Sequence, residues 1–75
     1  MTLFVNNIEF NLFEGAKIMD AARAYYRASG HDLPPQFPVV LDNFGNTLEP
    51  DGELSPMQRI YLVDFQYLNN EYENF

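Results

Sequence analysis

Over residues 2–13 the apolar positions recur every second residue. Leu3 and Val5 precede Asn6-Asn7, and Ile8, Phe10 and Leu12 follow it, alternating with Glu9, Asn11 and Phe13. A period of two is the mark of a strand with one apolar face. Asn tolerates the positive φ of a tight two-residue turn, so this stretch predicts a β-hairpin. The pattern breaks at Glu14-Gly15, and from Ala16 the apolar residues take helical spacing at Ile18, Ala21, Ala22, Tyr25 and Ala28, with Arg23 and Arg27 on the opposite side. A helix over about residues 16–29 follows, with Arg27 suited to its last turn and Gly30 to the residue that ends it. The segment His31 to Pro38 holds three prolines, which remove backbone donors and forbid a helix. It is read as a crossover loop. Val39-Val40-Leu41 then predicts a short buried strand, Asn43 to Asn46 a turn, and Thr47 to Met57 an irregular stretch broken by Pro50, Gly52 and Pro56. Gln58 to Asp64 alternates again and predicts the last strand, with Ile60 and Leu62 on one face and Arg59, Tyr61 and Val63 on the other.

The predicted order is strand, strand, helix, strand, strand. One amphipathic helix can cover one face of a four-stranded sheet, which makes the expected fold a two-layer α+β unit. Its limits are residues 1–65, with residues 66–75 as an acidic, aromatic C-terminal tail. The chain has 75 residues, and one of that size hides only about 60% of the surface that its unfolded form exposes, enough for one core. Seven Phe and five Tyr bring large buried areas to it.

Charge and cysteine content narrow the function classes. Eleven acidic residues face four basic ones, and from Asp42 onward seven acids stand against Arg59 alone. That half repels phosphate backbones and anionic lipid, so neither nucleic acid nor membrane is expected as a partner. A protein with a basic surface is. With no cysteine, a disulfide framework, a thiolate metal site, a cysteine-ligated cluster and a cysteine nucleophile are all excluded. The first residues carry neither a basic nor a long apolar signal segment, and no run approaches a membrane span, which makes the cytoplasm the expected location.

Two segments carry a resemblance to known proteins. The first runs from Val5-Asn6-Asn7-Ile8 through Glu14-Gly15 and Asp20-Ala21-Ala22 to Gly30-His31-Asp32-Leu33-Pro34. It resembles the opening of two-iron ferredoxin domains, and also the start of the sulfur-carrier proteins of thiamine and molybdopterin synthesis. The second, Gly45-Asn46 through Asp51-Gly52-Glu53 to Ile60-Tyr61-Leu62, is similar to the final loop and strand of those carriers. Both families have the β-grasp, or ubiquitin-like, fold, and that fold is what the resemblance implies here. Their chemistry is not carried over. The four cluster cysteines are absent, with Pro35, Gln36, Phe37 and Pro38 standing where the cluster loop begins, and Tyr72-Glu73-Asn74-Phe75 stands where a carrier needs Gly-Gly.

Side-chain chemistry points the same way. His31 is the only imidazole, Asp51 and Glu53 lie in a turn that offers nothing to desolvate them, and Asp42 to Thr47 departs from a calcium loop at Phe44 and Thr47. No catalytic residue, metal or cofactor is therefore expected. What remains is a surplus of aromatic residues. If Leu3, Val5, Ile8, Phe10, Leu12, Ile60 and Leu62 face the helix, strict alternation turns Phe4, Phe13, Tyr61 and Val63 outward. The outer sheet face is then an apolar contact surface, covered by a protein partner, by a second copy in a homodimer, or by the tail. The expected function is a small, non-catalytic, ubiquitin-like interaction module or accessory subunit. The alternatives are a degenerate or processed sulfur-carrier-like protein of cofactor biosynthesis, and a cluster-free ferredoxin-like subunit of an oxidoreductase complex.

Overall fold

A computed structural model describes residues 1–63, and residues 64–75, which include the tail, lie outside it. The hairpin forms as the alternation predicts. Strands β1 (Thr2–Val5) and β2 (Ile8–Asn11) pair antiparallel, Leu3 opposite Phe10 and Val5 opposite Ile8. The turn between them places Asn6 at φ 49° and Asn7 at φ 68°. Two successive left-handed residues give the twist that matches the strands, and asparagine reaches that conformation at low cost.

Helix α1 (Ile18–Ser29) starts two residues later than the periodicity predicts. Its first turn is held by the Asp20 carboxylate, which accepts the Lys17 backbone N–H at 2.8 Å, and by Gly52, whose carbonyl accepts from the Ile18 N–H at 2.9 Å. At the other end Gly30, at φ 74°, lets the N–H of His31 reach back to the Tyr26 carbonyl at 3.1 Å. The buried face is Ile18, Ala21, Ala22 and Tyr26. Tyr26 thus takes the place expected of Ala28, which is exposed, because eight residues bring it back onto the Ile18 row after slightly more than two turns. Tyr25 is half-buried, with its ring 6.4 Å from that of Phe10.

Three further strands complete the sheet: β3 (Val39–Leu41), β4 (Thr47–Leu48) and β5 (Arg59–Val63). The sheet therefore has five strands where four were expected. The addition is β4, in the stretch read as irregular, where Leu48 pairs with Val40. The two residues of β4 are too few to show a period. The sheet order is β2-β1-β5-β3-β4, with β5 parallel to β1 and antiparallel to β3. The result is a small α+β domain of one helix and a mixed sheet.

The core lies between α1 and one face of that sheet, and contains Leu3, Val5, Ala16, Ile18, Ala21, Val40, Leu54 and Ile60. Leu54 comes from the same irregular stretch, brought in by the bridge between Lys17 and Glu53. Ile8 departs from expectation in the other direction. It shares the inner side with Val5, yet it is 53% exposed, because it lies at the hairpin tip on an edge strand. Leu62 is half-buried for a related reason: β5 runs on past β1 towards the hairpin end, where the Leu62 N–H donates to Asn6 Oδ1 at 3.0 Å.

Candidate functional site

Helix α1 covers the inner face, and none of the described residues forms a second helix to cover the other. The residues on that outer face follow from strand register, because directly paired residues point to the same side. Beside Leu3 and Val5, which point inward, Phe4 points out. It stands between Glu9 of β2 and Arg59 of β5. Beside Ile60, Tyr61 and Val63 point out, and their partners on β3 are Leu41 and Val39. The centre of the outer face is therefore an apolar group of Val39, Leu41, Tyr61 and Val63, all half-buried.

Two contacts fix its geometry. The Arg59 guanidinium carbon lies 4.4 Å from the centroid of the Phe4 ring, which places a cation on the aromatic face and roofs over that ring. The Tyr61 hydroxyl donates to Asn43 Oδ1 at 3.3 Å, so the phenol is tethered toward the β3–β4 turn. That turn is built around Asp42. Its Oδ1 accepts the backbone N–H of Phe44 at 2.8 Å and of Asn46 at 2.9 Å, and these bonds, the one from Asn46 foremost, lower the Asp42 pKa below its ordinary 3.8. Next to Asn43, Phe44 stands 86% exposed at the tip.

Of the four residues expected on this surface, the structure brings Phe4, Tyr61 and Val63 to one face and places Phe13 elsewhere. Strand β2 ends at Asn11, so the alternation that put Phe13 outward does not reach it. The turn closed by the Ala16 N–H on the Phe13 carbonyl at 3.2 Å, with Gly15 at φ 87°, swings the chain toward the helix. Phe13 there lines a depression with Leu12, Ala24 and Arg27, and is 62% exposed. Sequence reasoning missed Val39 and Leu41, because a three-residue apolar strand shows no alternation from which to tell the inward residue from the outward two. Only Val40 is buried.

The remaining polar chemistry is dispersed. Among the described residues no three His, Asp or Glu side chains come together where an ion could sit, and no helix is long and apolar enough to cross a membrane. Among the described residues Lys17 pairs with Glu53 and the N-terminal amine with Glu14, both at 3.9 Å and both with exposed carboxylates. Such pairs contribute little. Comparison with family models, curated proteins and solved structures finds no match to this chain.

Proposed function

We propose that this chain is a β-grasp, ubiquitin-like interaction module that acts without catalysis, by holding another protein against the outer face of its sheet. The observation that carries this reading is the apolar group of Val39, Leu41, Tyr61 and Val63 on a face that α1 does not cover. An ordinary solvated sheet face alternates polar residues outward, and a contiguous apolar surface framed by polar groups is the usual form of a contact site. Here the frame is Glu9, Arg59, Thr47 and Asn43. The β-grasp assignment is supported by the order of elements, a hairpin followed by a crossover helix, and by a mixed sheet whose first and last described strands pair in parallel. A cytoplasmic setting is part of the same reading.

The aromatic ring of Tyr61 is the expected anchor, since large aromatic side chains dominate protein interfaces. Replacing it with Ser should leave the fold intact and weaken partner binding by about 1–3 kcal/mol, roughly a 5- to 150-fold rise in Kd. The test is quantitative capture from native extract by the wild-type chain and by Tyr61→Ser and Leu41→Ser side by side, with thermal melts of each. A protein held by the wild type and lost by both folded variants supports the reading. A partner held equally by all three places binding elsewhere.

A further inference from the structure

We propose that the free edge of β2 is a self-association surface, on which a second copy of this chain pairs antiparallel about a two-fold axis through Phe10. This concerns a different surface from the outer sheet face and stands independently of what binds there.

Strand β2 ends the sheet order, and among the described residues β1 is its only neighbouring strand. The bonds of β1 show which backbone groups that leaves open. The Phe4 N–H donates to the Gln58 carbonyl at 2.9 Å, and the Thr2 carbonyl accepts the Met57 N–H at 2.6 Å, so both residues turn their polar backbone groups away from β2. In an antiparallel ladder, the residue opposite one that turns away does the same. Those opposite residues are Glu9 and Asn11. Each therefore holds its N–H and C=O out along the free edge, which gives four groups in one row. Neither proline nor lysine stands among the four residues of β2 to blunt that edge.

The side chains select the register. Hydrogen bonding across the edge needs Glu9 or Asn11 of one copy opposite Glu9 or Asn11 of the other. Glu9 opposite Glu9 sets two carboxylates against each other, and Asn11 opposite Asn11 leaves Glu9 across from Phe13, beyond the end of β2. Glu9 opposite Asn11 uses all four groups of each copy and puts Phe10 against Phe10 on the axis. Ile8, which is 53% exposed in the single chain, then lies against Leu12 of the second copy. On the outer side Glu9 meets Asn11 of the second copy, whose Oδ1 accepts the Met1 amine at 3.0 Å. A carboxylate is thus brought to an amide and an ammonium group. A net charge of −7 on each copy opposes the pairing, so it is weak, grows with concentration and is strengthened by salt.

Within one chain Ile8 and Leu12 are four residues apart on extended backbone, about 14 Å, too far for a nuclear Overhauser effect. Contact between their methyl groups arises only between copies. The test is sedimentation of the full chain over a concentration series at low and moderate salt, with Overhauser spectra at the highest concentration. The expected result is a monomer–dimer equilibrium favoured by salt, with Ile8–Leu12 methyl contacts. Glu9→Pro removes one outward N–H from each copy without touching the bonds to β1, and should raise the dimer Kd at least roughly 10-fold while the melt of the dilute chain is unchanged. Ile8→Lys should have the same effect, and it carries the test if the proline variant does not fold. Tyr61→Ser should leave the dimer intact. A chain that stays monomeric at every concentration overturns the proposal, as does a dimer that the folded edge variants leave unchanged or that Tyr61→Ser abolishes.

Discussion

Asn6 performs two tasks at once. Its backbone takes φ 49° in the hairpin turn, and its Oδ1 accepts the Leu62 N–H at 3.0 Å, tying the hairpin to β5. Asn6→Ala loses both the tolerance of the left-handed region and the acceptor, and should destabilise by about 2 kcal/mol; Asn6→Gly keeps the backbone freedom and should cost about 1 kcal/mol. Chemical denaturation of the two variants separates the tasks, and equal losses would mean that the turn geometry contributes nothing. Asp42 has a comparable local role in the β3–β4 turn. Because its pKa is lowered, chiefly by the Asn46 N–H, its contribution to stability is present above its ordinary 3.8 and lost as pH falls through the lowered value. A carboxyl titration followed by NMR should place its midpoint below 3.8, with the Phe44 and Asn46 amides shifting in step. A midpoint at or above 3.8 removes this account of the turn.

At the scale of elements, burial sorts substitutions that look alike in the sequence. Ile18 and Ile60 are at most 1% exposed, so an aspartate at either leaves an unpaired charge in the core. That costs several kcal/mol against a total stability of roughly 4–10, and both variants should be unfolded at 25 °C. Ile8→Asp should change stability by no more than roughly 1 kcal/mol, although Ile8 belongs to the same apolar alternation. Circular dichroism melts of the three would reveal a misplaced register at once. The hairpin, the helix and β5 were legible because each holds enough residues to show a period. Strand β4, with two residues, and the outward aspect of Val39 and Leu41 were not, since such short runs acquire a direction only from the strands they pair with. Phe4, Tyr61 and Val63 on the candidate face could be assigned from alternation alone. Phe13 could not, because its position depends on where β2 stops, and strand ends are set by the turn at Gly15 rather than by side-chain pattern.

For the molecule as a whole, charge and topology impose separate constraints. Eight acids against four bases within residues 1–63, and three more acids beyond, make self-repulsion a cost of the compact state. Raising the salt from about 0.02 M to about 0.2 M should therefore raise the melting temperature by a few degrees, the shift that roughly 0.5–1 kcal/mol produces in a domain this size. A fall on adding salt would show that attractive pairs outweigh repulsion. The topology governs time as well as energy. Strand β5 lies between β1 and β3 and supplies Ile60 to the core, so during synthesis the hairpin and β3 have no shared neighbour until residues 59–63 have left the ribosome. Before that point the edges of β1 and β3 that β5 will fill are open and the core lacks Ile60, so the sheet closes only when β5 arrives, and folding depends on contacts between residues far apart in the chain.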